Sequence, residues 1–305
     1  MIDPSALQAL AAVQSHGSVV RAAEALGYSP SAVSQQIKKL ERQTGVALLE
    51  RHGRGVLITS SGRALADYGR RMRADLEALQ STLLAEPGEP HGTLQVVAFS
   101  TGCRGLMGPV LGRITAEGTD LQLRVTCDDP REAVARVAEG KADLGLVHDW
   151  NSVPLAVPEN LELEWLCVDV ADLLVRDDHA LAGRAAVQPG DLLDEIWVST
   201  PQGAICNEAL LKLHADLGRV PDIRVYDDDF ATHIALVEQG VAVALVPRLG
   251  RPVLPPGVVV VPVVGPTPAR QVGVVHRRTM AESPGVRHIV ALLRDAAARA
   301  VPNDS

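Results

Sequence analysis

The sequence predicts an N-terminal all-α winged helix-turn-helix with a long linker helix, followed by a two-lobed α/β domain. Three observations carry this expectation. Two short amphipathic helices meet at a proline-bearing turn before residue 45. A near-heptad apolar stripe then runs from Leu65 to Leu83. From Thr93 onward, short apolar strands, among them 94–99, 144–147 and 173–175, alternate with helices such as 103–116, and a proline-rich stretch at 252–268 precedes the last strand-helix pair. Alternation of that kind argues for a parallel sheet covered by helices.

The first helix follows from Ala6, Leu7, Leu10 and Ala11, which recur at a 3.6-residue period between Pro4 and Gly17. Ser18 caps the second, whose apolar set is Val19, Ala22, Ala23 and Leu26, and Gly27 ends it. Pro30 pushes Ser29 out of the helical region and opens the third helix, which ends at Gly45. Val33, Ile37 and Leu40 form its inward stripe. Ser31, Ser34, Gln35 and Lys38 lie opposite, with Gln36 and Lys39 at the flanks. A helix showing Ser, Gln and Lys outward after a short turn reads as the second helix of a helix-turn-helix, placed at about residues 19–38. Gln can pair with adenine bidentately, and Ser and Lys can serve bases or phosphates. A solvated polar face is the plainer explanation for an isolated helix. The next segment of the chain favours the functional one: two short apolar runs, 48–51 and 56–58, flank His52-Gly53-Arg54-Gly55. They make a hairpin with a basic tip suited to a nucleic-acid backbone or minor groove. Arg51, Arg54 and Thr59 join the candidate DNA contacts on that ground.

Charge is distributed to match. Residues 21–73 hold ten Lys and Arg against four Asp and Glu, a net of +6, whereas the whole chain carries −8. A basic block on an acidic body is expected where one small region meets a polyanion. With 47% hydrophobic and 22% charged residues among 305, the chain is globular and long enough for two or three domains. No apolar run reaches the roughly 18 residues of a membrane span, and no basic signal region opens the chain. A cytoplasmic protein with reduced thiols and no membrane partner is expected. Cys103, Cys127, Cys167 and Cys206 show neither a CxxC pair nor zinc spacing, so no metal and no cofactor are expected.

The run Ala22-Ala23-Glu24-Ala25-Leu26, then residues 29–41 (SPSAVSQQIKKLE), 45–51 (GVALLER) and 57–62 (LITSSG), resembles the LysR-type transcriptional regulators collinearly over about 60 residues. The chain departs from that family at Pro30-Ser31, where Gln-Pro is usual, and at Leu49, where Phe is usual. The resemblance implies a DNA-binding regulator of transcription, with the long helix as its dimerisation linker and a C-terminal effector domain resembling a periplasmic solute-binding protein. The stretches 139–147 and 237–247 are similar to that domain's two helix-to-strand motifs. On this reading residues 1–60 form the winged helix-turn-helix and 61–87 the linker helix. Residues 92–305 form the effector-binding domain, with lobe 1 at 92–166 and 271–300 and lobe 2 at 167–270. The crossovers at 167–170 and 266–271 serve as hinge. Partners are then double-stranded DNA, a small-molecule effector and further copies of the chain, as a homodimer or homotetramer.

Open α/β sheets bind ligands at the carboxyl ends of their strands. Ser100, Thr101, His148, Trp150, Thr200 and Phe230 stand there and are the expected effector-binding residues. Ser100 and Thr101 precede a helix, where hydroxyls and free N–H groups favour an anion, so a small anionic effector is the expectation. Asp227–Asp229 either cap the next helix or oppose that anion. Two other readings compete. One is a thiol-based redox sensor, because Cys103 and Cys206 sit early in predicted helices, where a dipole lowers a thiol pKa. The other is a solute-binding protein or enzyme on the same α/β fold, although no GxSxG, HExxH or phosphate-loop pattern occurs and no catalytic residue is assigned.

Overall fold

The computed structural model describes residues 2–52, 55–84 and 90–300; the side chains of residues 51, 52, 55, 74, 77, 78 and 80–84 also lie outside the description. It divides into two compact units, Met1–Leu83 and Leu84–Ser305.

In the first unit, α1 (Pro4–His16), α2 (Val19–Leu26) and α3 (Pro30–Thr44) start on side-chain caps. Asp3 accepts from the Ser5 N–H, Ser18 from Arg21 and Ser29 from Ala32. Such caps satisfy N–H groups that the first helical turn leaves unpaired. Gly27 and Gly45 end α2 and α3 at φ of 69° and 73°, a left-handed conformation that costs a glycine little. Leu7, Leu10, Val13, Ala22, Ala23, Val33, Ile37, Leu40 and Leu48 bury into one core. The wing is β1 (Leu49–His52) paired antiparallel with β2 (Gly55–Ile58), Leu49 opposite Ile58. Glu41 holds it against α3: its Oε1 accepts from the N–H groups of Leu48 at 2.9 Å and Leu49 at 3.2 Å.

Helix α4 (Ser60–Leu84) corrects one expectation. The stripe Leu65, Tyr68, Met72, Leu76, Leu79 and Leu83 reads as a single seam, but it splits. Leu65 and Met72 pack on the core of their own unit. Tyr68, Leu76 and Leu79 are 54%, 52% and 54% exposed, and the Leu83 side chain lies outside the described residues. The reason is the close approach of α4 to α1. At Gly69 a Cβ would stand only 2.9 Å from the Leu7 Cβ, so the two helices touch and the flanking apolar residues are drawn inward.

In the second unit, β3 (Gly92–Ala98) lies parallel to β4 (Leu121–Cys127) on one side and to β5 (Leu144–His148) on the other. β11 (Ala269–Arg277) pairs antiparallel with β5 and with β6 (Leu161–Arg176). The far end of β6 carries β9 (Ala244–Pro247) and β10 (Val258–Val261). β7 (Ile196–Ser199) and β8 (Asp222–Tyr226) are parallel to each other, and Trp197 bridges to Val243 beside β9. Two lobes thus share β6. Helices α6 (Gly108–Glu117), α7 (Pro130–Ala138) and α10 (Pro284–Ala300) cover the first lobe; α8 (Ile205–Ala215) and α9 (Phe230–Glu238) cover the second.

Three elements differ from expectation. The strand expected at 173–175 is the end of the 16-residue β6. Its first part was hidden by Glu162, Glu164, Asp169 and Asp172. Three of these charges are absorbed by partners: Glu164 by Arg294, Asp169 by Arg270, and Asp172 by Arg248 and Arg251. β10 lies inside the proline-rich stretch 252–268. The helix expected at 103–116 begins as one turn, α5 (Ser100–Gly102), followed by a π-helical segment Cys103–Met107 before α6. That widened turn sets Gly105 against Leu249, where a Cβ would come within 2.7 Å of the leucine side chain.

Candidate functional site

On α3, Val33, Ile37 and Leu40 are buried, while Ser31, Gln35 and Lys38 are exposed and Ser34 and Gln36 are partly covered. The outward face therefore presents a hydroxyl, an amide and an ammonium at helical spacing. Lys39 is turned away from it, pairing with Asp3 at 3.1 Å. The Ser5 hydroxyl and Lys39 together hold the Asp3 carboxyl below its usual range. Gln36 Oε1 is buried without a hydrogen-bond partner. Thr59 is taken up by structure: its hydroxyl donates to the Ala47 carbonyl at 2.9 Å and accepts from the Gly62 N–H at 2.9 Å. Arg51 stands in β1 with its side chain outside the described residues, and Arg54 lies outside them altogether.

In the second unit the two crossovers pair with one another. Val168, Asp169 and Val170 of β6 register with Gln271, Arg270 and Ala269 of β11. Asp169 and Arg270 are therefore cross-strand neighbours, each only 1% exposed, and they form an ion pair at 2.8 Å. The Arg270 Nε and Nη2 both donate to Asp169 Oδ2, and Nη2 also donates to Thr101 Oγ1 at 2.8 Å. Asp169 Oδ1 accepts from the Leu249 N–H at 3.0 Å. The guanidinium carbon stands 5.0 Å from the Phe99 ring centre and 5.8 Å from that of Trp150, within cation–π range. Only Nη1 is left, buried and without a partner.

Among the expected effector residues, Thr101 and Trp150 touch this group and His148 lies within reach of its charge. Thr101, His148, Trp150, Thr200 and Phe230 are all buried, and Ser100 is half-buried. His148 meets Phe99 edge-on with 4.6 Å between ring centres, and its Nε2 lies 3.9 Å from Cys206 Sγ on the facing lobe. Burial, and then the Arg270 charge, push His148 well below its ordinary pKa of 6.5. Thr200 Oγ1 is buried without a partner. Thr101 differs from expectation: its oxygen already accepts from Arg270, so it positions the guanidinium. Asp229 caps α9, and Asp227 accepts from the Asp229 N–H. Trp150 also lines a cavity of about 330 Å³ with Lys212, Leu213, Leu245 and Pro266.

Contacts of Arg131, Asp129 and Arg104 hold one lobe against the other. Arg131 donates to both carboxylate oxygens of Glu208 and to the Gly203 carbonyl. The Ile205 N–H donates to Asp129 Oδ2 at 3.2 Å. Arg104 donates to the Gly250 carbonyl at 2.9 Å and to Asp229 Oδ1 at 3.2 Å. Hydrogen bonding from Arg131 holds the Glu208 carboxyl below its usual range. Burial, and then the neighbouring carboxylates Asp227, Asp129 and Asp128, raise Asp228. Carboxylates of both lobes thus converge at the mouth. None of Arg104, Arg131, Asp169 and Arg270 was legible as a site residue, because the contacts join positions 72 to 169 residues apart. The signal that pointed to Arg270 was its place in the expected crossover. The thiols run against a dipole-activated cysteine: burial pushes Cys103 and Cys206 up, and Cys167 up to about 11.

Comparison with known proteins agrees with this geometry. Residues 4–63 match the bacterial regulatory helix-turn-helix protein, lysR family, and residues 87–298 match the LysR substrate binding domain. The chain belongs to the LysR family of transcriptional regulators, built from an N-terminal helix-turn-helix unit and a C-terminal α/β effector-binding domain. Among its relatives is the RuBisCO operon transcriptional regulator of Allochromatium vinosum, 31% identical over 219 residues, covering 70% of this chain and 68% of that one. A full-length OxyR variant from Pseudomonas aeruginosa has the same fold, with a TM-score of 0.69 at 17% identity over 96% of this chain and 98% of that one. So does full-length CbnR, solved in complex with its target DNA, with a TM-score of 0.55 at 21% identity over 96% and 99%. Among the described residues no helix is long and apolar enough to cross a membrane.

His148 supplies a test. Its folded pKa is depressed, so its contribution is fully present above pH 6.5 and is lost as pH falls toward the folded value. Stability should decline below pH 6.5 with a slope of up to about 1.4 kcal/mol per pH unit from this one group. Thermal unfolding of wild type and His148→Gln between pH 7.5 and 5.5 checks it, and the variant should show the shallower decline.

Proposed function

We propose that the protein is a cytoplasmic, sequence-specific regulator of transcription that works by binding and not by catalysis. Double-stranded DNA meets the outward face of α3, with Gln35 reading a base edge and Ser31, Ser34 and Lys38 contacting bases or phosphates. Arg51 and Arg54 are assigned to the DNA backbone. The observation that carries this reading is the separation of α3 into a buried Val33-Ile37-Leu40 stripe and an opposite face with Gln35 and Lys38 exposed. Removing the Gln35 amide should cost about 1–3 kcal/mol on the specific site and relax base preference there. Binding of Gln35→Ala to the promoter site and to random duplex at fixed salt is the measurement. An equal loss on both would assign Gln35 to the backbone and overturn its role as a reader.

Two copies join through Tyr68, Leu76 and Leu79 of α4, apolar groups left exposed in the single chain. Such a pair sets two recognition helices on half-sites about one helical turn, or a multiple, apart. Leu76→Asp with Leu79→Asp should sediment as a monomer and bind the promoter weakly; a wild-type monomer at micromolar concentration contradicts this.

The effector domain takes a small organic acid that also bears a positive group. Its carboxylate meets Arg270 Nη1 and Thr200 Oγ1, buried groups without partners. Its body packs on Phe99, Trp150 and Phe230, beside His148 and Ser100. The positive group is drawn by the carboxylates Asp128, Asp129, Asp227 and Asp228 at the mouth, whose mutual proximity is reflected in the raised Asp228. Binding then shifts the balance between open and closed lobes.

A further inference from the structure

Helix α8 turns one face toward a cavity at the junction of the lobes. Ala209, Lys212, Leu213 and Asp216 recur at spacings of three and four, which sets them on one side of the helix. All four line the cavity of about 330 Å³. Another part of its wall comes from the first lobe. There Trp150 and Val153 exchange backbone hydrogen bonds at 3.0 and 2.9 Å and close a tight turn. Asn151 ties that turn to the crossover: its N–H donates to the Ala269 carbonyl at 2.9 Å and its Nδ2 to the Thr267 carbonyl at 3.0 Å. Residues 265–268 of the crossover also line the space. Both lobes and the segment between them therefore shape it.

The lining divides by chemistry. Trp150, Pro189, Ala209 and Pro268 are buried and Leu213 and Leu245 half-buried, which makes an apolar floor. Lys212 and Asp216 are exposed and mark the rim. Among the described residues, Lys212 Nζ donates only to the Ser152 carbonyl, at 2.7 Å, and pairs with no carboxylate. Glu208, one turn earlier, feels the Lys212 charge but is held by Arg131. An ammonium has three N–H groups, so two remain for a ligand. A concave apolar space of a few hundred Å³ with a few fixed polar groups is the ordinary form of a small-molecule site. Of the expected effector residues only Trp150 belongs to this lining.

We propose that this cavity is a second ligand site, which takes a small aryl acid bearing a hydroxyl or ammonium group on the carbon next to its carboxylate. The ring lies among Trp150, Leu213 and Leu245, an indole and two branched side chains that suit a flat apolar body. The carboxylate meets Lys212, and the neighbouring donor meets Asp216, one helical turn along. Lys212 keeps its bond to Ser152, so the bound molecule joins α8 to the first lobe and favours closed lobes. The site does not depend on the effector assigned to Arg270 and Thr200, and the test separates the two.

The test is isothermal titration of the full-length protein with L-phenyllactate, L-phenylalanine and phenylacetate, which share a ring and a carboxylate and differ in the donor. Wild type should bind the first two more tightly than phenylacetate. Lys212→Met keeps an unbranched stem and removes the charge. It should weaken all three roughly ten- to hundredfold, as loss of a hydrogen bond to a charged group does. Asp216→Ala should bring the first two to the affinity of phenylacetate. Thr200→Val, which removes a hydroxyl assigned to the effector cleft, should bind all three as wild type does. Affinity unchanged in Lys212→Met, affinity lost in Thr200→Val, or no binding of any of the three overturns the proposal. Equal wild-type affinity for all three overturns the pairing with Asp216. Hydrogen exchange at the Ile205 amide, whose N–H is held by Asp129 of the first lobe, reads closure. It should slow when the cavity is filled, and unaltered exchange overturns the coupling to the lobes.

Discussion

The buried ion pair of Arg270 with Asp169 fixes the centre of the effector domain. Taking two charges out of water costs several kcal/mol per ion, recovered only where geometry and further hydrogen bonds are good. Here Asp169 accepts from two guanidinium nitrogens and from the Leu249 N–H, while Arg270 also donates to Thr101 and lies near two aromatic rings. Together these bonds join the crossover strands, the turn after β3 and the segment after β9. Losing one charge while keeping the other costs about 3–5 kcal/mol in buried pairs. The pair therefore locks the end of β3 and the turn after β9 to the place where both chain segments cross between lobes.

The contacts across the mouth are of another kind. Arg131 with Glu208 and Arg104 with Asp229 are solvent-exposed pairs, and such pairs contribute about 0–1 kcal/mol each. A stiff hinge with weak clasps gives a domain whose closure is easily shifted. A ligand moves such an equilibrium only by its difference in affinity for the two states, and a few kcal/mol suffices when the clasps themselves hold so little.

Much of this was legible in the sequence where local rules decide. Caps and glycines bounded α1 to α3 because helix ends are set within a few residues, and the period of Val33, Ile37 and Leu40 assigned the two faces of α3. Non-local pairing hid the rest. β6 up to Asp172 looked polar because its acids find arginines 76 to 130 residues later. The stripe on α4 looked uniform because the position of α1 against Gly69 is not written in α4 itself. Of the residues expected at the cleft, Thr101, His148 and Trp150 stand beside Arg270, but the arginine itself was not legible, since its partners Thr101 and Asp169 precede it by 169 and 101 positions.

On this reading the ion pair both holds the hinge and offers its remaining N–H to the effector. Replacing both partners by apolar groups of similar size is often neutral or stabilising, so Arg270→Met with Asp169→Leu separates the two roles. Thermal unfolding of the full-length protein across a panel of amino acids and simple carboxylates is the direct measurement, because a ligand that binds the folded state raises the midpoint. At least one panel member should raise the wild-type midpoint, and none should do so in the double variant although it folds. Equal midpoint shifts in both proteins, with the fold intact, would contradict the double role of Arg270.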